Sequence, residues 1–463
     1  MQRLCVLAAA ALLGCAAPQS TVRAQTTRVT VQSSGGSGSA GWIQGAPVRT
    51  QVQVGADGET FVGVWIDAPD AAPQVLAQRP PLALSLVVDT SGSMSGEKIR
   101  NARMAAASLL ESLADGDVVS LYAFSNTVVE VAAPTVVNAA SRPALMERVR
   151  YLQAGGGTNL YGGVATGIQS LARAPTSHSV RRLVLISDGQ ANIGPSDPAS
   201  LATLAGNGTE WEVQISAIGL GLDYDEHTLG ALAVRSSGRL YHLEHPSQMA
   251  SILEQEVNLL ARTIATDAYI EVVPAPGVRL LEPLTDGATI EGNKLRLPLG
   301  SVFAGQRREL VFRARVDTRR PGARPLATAR LVYRETSGPT QPRTQTATLR
   351  YRVTPGAPSP ERSVEPRVQA MVASLEAARA QRQAAEALSR GDLATAQRHF
   401  EFADQQIEGA LAAPVAPAER ARLQRRRATV RRIRARAASA RSQAEARGAA
   451  LESFDAAMEV QGY

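Results

Sequence analysis

The chain has 463 residues, which is too long for one ordinary domain, and its composition of 44% hydrophobic and 20% charged residues is typical of globular proteins. After residue 14 no uncharged apolar run approaches the ~20 residues of a membrane-spanning helix, which excludes a polytopic membrane protein. The net charge of +7 belongs to one segment: residues 420–447 hold 11 arginines and one acid, which leaves 38 basic and 41 acidic residues elsewhere. The charge therefore does not predict a nucleic-acid partner for the whole protein.

The first residues resemble a bacterial export signal. Residues 1–14 contain one basic residue, Arg3, followed by a short apolar stretch and small residues, so we predict a lipoprotein signal peptide. The sequence LLGC at 12–15 resembles a lipobox, in which Cys15 is acylated and becomes the first residue; an ordinary signal peptide with an incidental cysteine is the alternative. Because Ala16 follows, the pattern resembles lipoproteins of the outer membrane. We expect a lipid-anchored protein of the cell envelope, facing either the periplasm or the surface.

The middle of the chain shows three changes of pattern. Residues 15–47, rich in Ser, Gly, Gln and Thr, predict a flexible tether, and alternation within 48–81 predicts two strands. Residues 82–263 alternate apolar strands with helical periods, which predicts a mainly parallel sheet covered by helices on both faces. Residues 264–354 predict an antiparallel β-block. Because two isolated strands are unstable, we predict that they pair with this block, and that a Rossmann-like α/β domain is inserted in one β-sandwich.

A linker at 355–361 precedes a predicted α-helical tail, 362–463. We expect a helical hairpin broken at 390–392, where the tripeptide Arg-Gly-Asp is explained by helix capping rather than by integrin recognition. Apolar or small residues then recur every seven positions along a predicted last helix: Leu423, Val430, Ala437, Ala444, Leu451 and Met458. This stripe favours packing against the hairpin, with a coiled-coil dimer left open. We interpret the arginines of 420–436 as a solvated face, with contact to anionic lipid or nucleic acid as the alternative.

Hydroxyl and carboxyl side chains follow the ends of predicted strands. The first α/β strand ends at Asp89, with Ser91 and Ser93 on alternate residues after it. A glycine-rich loop carries Thr158 at the start of a helix, and a later strand ends at Asp188. Because open parallel sheets bind ligands beyond the carboxyl ends of their strands, we expect these five residues to converge at one edge.

The pattern Asp89-x-Ser91-x-Ser93, then Thr158, then Asp188 resembles the metal-ion-dependent adhesion site (MIDAS) of the von Willebrand factor type A (VWA) domain family. The resemblance covers about residues 82–260. It implies that Ser91, Ser93 and Thr158 coordinate Mg²⁺ directly, and that Asp89 and Asp188 act largely through bound water.

The donor chemistry agrees with that expectation. Hydroxyl and carboxylate oxygens suit Mg²⁺, with Mn²⁺ or Ca²⁺ as alternatives, and no His or thiolate cluster suggests zinc. Neutral direct ligands leave the ion short of negative charge, so an Asp or Glu of a partner protein can complete the coordination shell. We therefore predict a protein-binding module that acts in adhesion or envelope complex assembly.

No catalytic set is visible, because neither Ser91 nor Ser93 has a recognisable His base, and we predict that the protein is not an enzyme. The alternative is a regulatory subunit or scaffold of an ATPase-associated enzyme complex, with a structural metal. The chain itself has no phosphate-binding P-loop. The partner's identity and the oligomeric state are left open.

Overall fold

The computed structural model describes residues 31–33, 41–70, 79–188, 190–336, 341–359 and 363–463. The predicted signal peptide and Cys15 lie outside the described residues. Within the described ranges, no helix combines the length and the apolar character needed to cross a bilayer.

The α/β domain is built on a six-stranded, mainly parallel sheet, which confirms the predicted sheet type, and its strand order is β10-β9-β8-β5-β6-β7. Its strands are β5 (Leu82–Asp89), β6 (Val118–Phe124), β7 (Val128–Val136), β8 (Val180–Ser187), β9 (Val213–Leu220) and β10 (Arg239–Leu243). All neighbours are parallel except β6 and β7, which are antiparallel. The sequence interpretation missed β7 because this edge strand is mostly exposed and lacks the apolar run of a buried strand.

Helices cover both faces of this sheet. They are α1 (Glu97–Ser112), α2 (Ser141–Arg150), α3 (Leu160–Ala172), α4 (Pro198–Gly208), α5 (Glu226–Ser236) and α6 (Met249–Leu260). Strand β5 is central and completely buried, with side chains such as Val87 in the core of one face and Val88 in the core of the other. The buried sheet therefore fixes the positions of the loops that follow its strands.

Two sheets form the β-sandwich around one shared core, and their strands are antiparallel except for the parallel pair β3 and β17. Before the α/β domain come β1 (Val31–Ser33), β2 (Ile43–Pro47), β3 (Gln51–Gln53) and β4 (Glu59–Asp67). After it come β11 (Thr263–Pro274), β12 (Arg279–Pro283), β13 (Thr289–Glu291), β14 (Lys294–Phe303), β15 (Arg307–Arg315), β16 (Gly322–Glu335) and β17 (Arg343–Thr354). The predicted pairing across the insertion is observed, since β4 pairs with β15 over its full length and β3 pairs with β17.

The predicted tether, 15–47, extends too far toward the C-terminus. Strands β1 and β2 lie inside it: β1 pairs with β17, and β2 pairs with β4. The side chains of Trp42 and Ile43 are buried in the sandwich core, and Trp42 stacks on Tyr333 with ring centroids 4.6 Å apart. Composition alone hid β2, because Gly and Ser dominate the residues before it, and Trp42 next to it packs on Tyr333, which is 291 positions later in the sequence.

The helical tail packs on both other domains. Its four helices are α7 (Pro366–Ser389), α8 (Leu393–Ala412), α9 (Pro417–Ser439) and α10 (Gln443–Gln461). Helix α7 buries Val368 and Met371 against Trp65 and Val311 of the sandwich, whereas tail residues such as Phe454 belong to the core on one face of the α/β sheet. The tail is thus a third layer that bridges the other two domains.

The predicted single last helix is wrong: the chain turns between α9 and α10. Ser442 caps α10 by accepting a hydrogen bond from the backbone of Glu445 at 3.1 Å, and the Glu445 carboxylate accepts one from the backbone of Arg441 at 2.6 Å. This reciprocal capping starts a new helix and interrupts the seven-residue stripe. The other stripe residues are buried, but Ala444 in the first turn of α10 is exposed.

Candidate functional site

The five residues predicted from the sequence lie at one edge of the α/β sheet. Asp89 is the last residue of β5, and Asp188 directly follows the neighbouring parallel strand β8. Thr158 lies in the loop before α3. Strand order therefore brings the three segments to the carboxyl ends of adjacent strands, where ligands bind in sheets of this type.

Asp89 is completely buried and fixed by two hydrogen bonds. Its Oδ1 accepts from the backbone N–H of Ser91 at 2.8 Å, and its Oδ2 accepts from the hydroxyl of Ser187 at 2.7 Å. Burial raises the pKa of the Asp89 carboxyl, and the hydrogen bonds from Ser91 and Ser187 oppose that rise. Asp89 thus holds the loop that carries both serines.

The two serines and Asp188 form a connected chain of oxygens. The hydroxyls of Ser91 and Ser93 are 3.0 Å apart, and Ser93 donates to Oδ1 of Asp188 at 2.8 Å. The other carboxylate oxygen of Asp188, which is completely buried, contacts the ammonium group of Lys98 in α1. Asp188 is therefore charge-paired within the protein.

The glycine-rich loop is attached directly to the serine loop. The backbone N–H of Gly92 donates to the carbonyl of Gly156 at 3.0 Å, and Gly155 donates to the carbonyl of Thr90 at 2.8 Å. Gly156 has a φ of +87°, and a Cβ there would press on the side chain of Asn126 at 3.1 Å. Glycine is needed at this position to bring Thr158 close to the serines.

Two asparagines position the Thr158 loop. The amide oxygen of Asn126, which follows β6, accepts from the backbone of Gly157 at 2.6 Å. That of Asn192, which follows β8, accepts from the backbone of Thr158 at 2.8 Å. Both asparagines come after a parallel strand, at the same sheet edge as Asp89 and Asp188. A polar residue soon after a predicted strand was the sequence signal that could have identified them.

The donor set fits a small hard cation. Three hydroxyls and two carboxylates supply only oxygen, which is the ligand type that Mg²⁺ and Ca²⁺ prefer. Across the described part of the chain, no group of three or more His, Cys, Asp or Glu side chains is arranged to hold a metal ion. The candidate site is not a group of that kind, because three of its five oxygen-bearing side chains belong to Ser or Thr.

The oxygen cluster opens into a cleft of about 870 Å³. Ser93, Thr158 and Asp188 lie on its α/β side together with the Leu222–His227 loop. A further wall of the cleft comes from the helical tail, through residues that the sequence interpretation did not connect with the site: Leu388, Ser389, Gln443, Ala444 and Arg447. No sequence pattern indicated this arrangement, because even Leu388 is 161 positions after His227 in the chain.

The other sequence motifs have structural roles. Asp392 of the Arg-Gly-Asp tripeptide caps α8 by accepting from the backbone of Thr395 at 2.9 Å, and Gly391 has a φ of +77° at the end of the preceding helix. Asp225 caps α5 through the backbone of His227 at 3.0 Å. The capping interpretation of the Arg-Gly-Asp tripeptide is confirmed.

The arginines of α9 are more than a solvated face, because most of them pair with acids on other elements. Arg427 and Arg431 both bind Asp404 of α8, and Arg436 binds Glu244 after β10 at 3.0 Å. Burial alone would raise the pKa of Asp404, but its hydrogen bonds with the two arginines outweigh burial and lower the pKa to about 2. The arginines of α9 therefore connect the helices of the tail with one another and connect the tail with the α/β domain.

Comparison with known proteins agrees with this fold and site. Residues 84–255 match the von Willebrand factor type A domain, and this part of the chain is a VWA domain. Such domains commonly mediate protein–protein interaction through a MIDAS and are generally non-catalytic.

Three relatives illustrate the range of similar proteins. A von Willebrand factor type A protein of Catenulispora acidiphila shares the fold, with a TM-score of 0.71, 18% identity, and coverage of 90% of this chain and 96% of that one. An uncharacterised protein of Synechocystis sp. is 27% identical over 268 residues, 55% of this chain and 62% of its own length. The inter-alpha-trypsin inhibitor heavy chain H1 of Mesocricetus auratus is 26% identical over 194 residues, 41% of this chain. The match spans only 21% of that heavy chain.

Proposed function

We propose that this protein is an interaction module whose MIDAS binds an acidic side chain of a partner protein through Mg²⁺. The observation that supports the proposal is that Ser93, Thr158 and Asp188, from three separate segments, line one cleft. Ser91 is hydrogen-bonded to Ser93, and Asp89 accepts a hydrogen bond from the backbone of Ser91. A bound Mg²⁺ would supply positive charge and an open coordination position for a carboxylate.

The protein's own residues would prepare the site for that ion. Ser91, Ser93 and Thr158 would hold it through neutral hydroxyls, while Asp89 and Asp188 orient the serines through the hydrogen bonds described above. Because the direct donors are neutral, the charge of the ion is left to attract an acidic ligand. VWA domains are generally non-catalytic, which favours binding over catalysis.

We also propose that the module is exported and lipid-anchored at Cys15, in the bacterial cell envelope and on its outer membrane. The support is the sequence of residues 1–16, with a short apolar stretch that ends at LLGC and is followed by Ala16. The residues between the anchor and β1 would act as the tether.

The decisive experiment compares two serines of the same loop. Ser93→Ala removes a proposed metal donor, whereas Ser95→Ala changes an exposed neighbour outside the cleft lining. Using the chain from residue 16 onward, titration with Mn²⁺ monitored by electron paramagnetic resonance should give one tight site, weakened at least about tenfold by Ser93→Ala. Ser95→Ala should leave the site unchanged.

Partner capture from envelope extracts with each variant, in Mg²⁺ or EDTA, separates the proposed function from a scaffold role. Capture that requires both Mg²⁺ and Ser93 supports the metal-dependent module. Equal capture in EDTA and by Ser93→Ala would contradict it, and would favour the scaffold with a structural metal.

A further inference from the structure

The helical tail forms one wall of the cleft above the candidate metal site. The end of α7 contributes Leu388 and Ser389, and the first turns of α10 contribute Gln443, Ala444 and Arg447. Ser93, Thr158 and Asp188 of the VWA domain line the same cleft. A ligand that fills the cleft at the metal site therefore contacts both the VWA domain and the tail.

This wall is held firmly in place. The guanidinium group of Arg447 makes two hydrogen bonds with the carboxylate of Glu226, at 2.6 and 2.5 Å, and donates to the backbone carbonyls of Leu222 and Tyr224 at 3.1 and 2.9 Å. Paired hydrogen bonds of this kind are strong and directional. The loop that edges the cleft is thereby tied to α10 along its whole length.

A second set of contacts fixes the rest of α10. The buried hydroxyl of Ser453 donates to the carbonyl of Gln381 in α7 at 2.8 Å, and the hydroxyl of Tyr463 donates to the carbonyl of Asp286 at 3.0 Å. Phe454 packs edge-on against His227, with ring centroids 5.3 Å apart. With anchors at both ends, the wall cannot swing aside without breaking buried contacts.

The size of the cleft limits what can reach the metal site. Its volume of about 870 Å³ lies within the range of ~300–1,000 Å³ typical of pockets that take small ligands. A flat protein interface needs roughly 800 Å² from each partner, and the tail wall would keep such a surface away from Ser93 and Thr158. A narrow length of chain does fit between the two walls.

From this shape we infer that the partner presents its acidic residue on a narrow extended segment, either a protruding loop or a chain terminus, that inserts between the VWA domain and the helical tail. The inference rests on the proposed metal-dependent function and adds the tail as half of the binding site. Ala444 and Gln443 then contact the segment on the side opposite the metal.

The charge of the cleft restricts the segment further. Of the three acids in its lining, Asp188 pairs with Lys98 and Glu226 pairs with Arg447, which leaves Asp223 outside both pairs. The carboxylate of Asp223 would repel a second acidic residue of the segment. The segment therefore carries a single Asp or Glu among neutral or basic residues, and its binding requires the divalent cation.

The test uses a library of random short linear peptides, selected against the chain from residue 16 onward in Mg²⁺. The wall variant is Ala444→Trp, which fills the cleft from the tail side. Its matched control is Ala418→Trp, because both alanines are exposed at the second position of a tail helix and only Ala444 lines the cleft. Thermal unfolding and Mn²⁺ affinity are measured on both variants to confirm an intact fold and metal site.

Peptides with one acidic residue should be enriched, and their affinity should fall about tenfold or more in Ala444→Trp but not in Ala418→Trp. Enriched peptides that bind Ala444→Trp as tightly as the unmodified chain would overturn the inference, as would the absence of any Mg²⁺-dependent enrichment. Binding that persists in EDTA but is lost in Ala444→Trp would leave the tail wall supported and contradict the metal-dependent function. The two proposals can therefore fail separately.

Discussion

The ammonium group of Lys98 contacts the carboxylate of Asp188, a residue that the proposed metal site shares. The chain has 47 arginines and only two lysines, so a lysine at this position is not explained by the general composition. A compact ammonium group can approach a carboxylate at a crowded site where the larger planar guanidinium group of arginine cannot. Lys98 therefore places an ammonium group beside Asp188 at the candidate metal site.

Replacing Lys98 with methionine should change two quantities in opposite directions. The affinity for Mn²⁺ should rise by about tenfold, because a positive charge that repels the ion has been removed. The free energy of unfolding without metal should fall by about 3 kcal/mol, because Asp188 loses its charged partner while it stays buried. Calorimetric titration and urea unfolding in EDTA measure the two effects.

The matched control is Lys294→Met, since Lys294 is the other lysine and pairs with Glu271 on the exposed face of the sandwich. It should leave both the metal affinity and the stability nearly unchanged. A metal affinity that is unaltered in Lys98→Met would contradict the proposed location of the cation.

The stability of the VWA domain should depend on Arg182, because this residue belongs to a buried polar network. This side chain is buried against Glu256 at 3.5 Å, and Glu256 also accepts from Ser216 at 2.5 Å and from Tyr241 at 2.6 Å. Burial lowers the pKa of Arg182, and the charge of Glu256 opposes that shift. Arg182→Met should cost about 3–5 kcal/mol of unfolding free energy in urea, because it leaves a buried carboxylate without its partner.

The double variant Arg182→Met with Glu256→Leu should recover much of this loss, because neither charge is then buried alone. The exposed variant Arg150→Met serves as the control and should change stability by less than ~0.5 kcal/mol. If Arg182→Met alone is as stable as the unmodified chain, the buried network is not needed for folding.

Asp455 of α10 should make stability depend on pH. Burial raises the pKa of its carboxyl to about 7, and the nearby carboxylates of Glu459 and Glu452 add to the rise, while a hydrogen bond from the backbone of His242 opposes it. The folded chain therefore binds this proton more tightly than the unfolded chain, whose value is 3.8. The contribution of Asp455 to stability is complete below pH ~4 and is lost as the pH rises toward 7.

Asp455→Asn should consequently raise the free energy of unfolding by about 4 kcal/mol at pH 8 and have little effect at pH 4. Thermal unfolding across this pH range checks the prediction. Glu254→Gln, an exposed change on α6, should shift the curve equally at all pH values. A stabilisation by Asp455→Asn that is the same at pH 4 and pH 8 would exclude the proposed titration.

Lipid anchoring can be tested at the two cysteines. Cys15→Ser should move the protein from the membrane pellet to the soluble fraction, because the acylated thiol is the proposed anchor. Cys5→Ser changes only the predicted signal peptide and should leave the distribution unchanged. Fractionation of bacteria that express each variant measures the outcome, and continued pelleting of Cys15→Ser would disprove the anchor.

Sequence patterns predicted the parts of the site that follow buried strands. Asp89 and Asp188 stand directly after long apolar runs, so their place at the sheet edge follows from strand order once the parallel sheet is inferred. Asn126 and Asn192 carry the same positional signal but were missed, because an isolated amide after a strand is common in turns. The order and spacing of the five predicted site residues therefore identified the site, whereas a single polar residue after a strand did not.

The sequence interpretation was wrong or incomplete mainly where the structure depends on packing between distant segments. Strand β2 is short and follows a Gly- and Ser-rich stretch, and its pairing with β4 depends on a sheet completed far downstream. The break before α10 carried a capping signal at Ser442 and Glu445, but the seven-residue stripe seemed to continue across it. The tail wall of the cleft depends on tertiary contacts such as Arg447 with Glu226, which no local pattern encodes.

The insertion of the VWA domain within the sandwich has a mechanical consequence. The chain enters at β5 and leaves after α6, and each end continues into a strand of the same sandwich. At the amino end of β9, opposite the candidate metal site, the buried side chain of Gln214 accepts from the backbone of Ser301 in β14 at 3.0 Å and donates to the carbonyl of Ser237 at 2.5 Å. A pulling force applied at the cleft would be shared between two covalent connections to the sandwich, so the VWA domain would not swivel on a single linker.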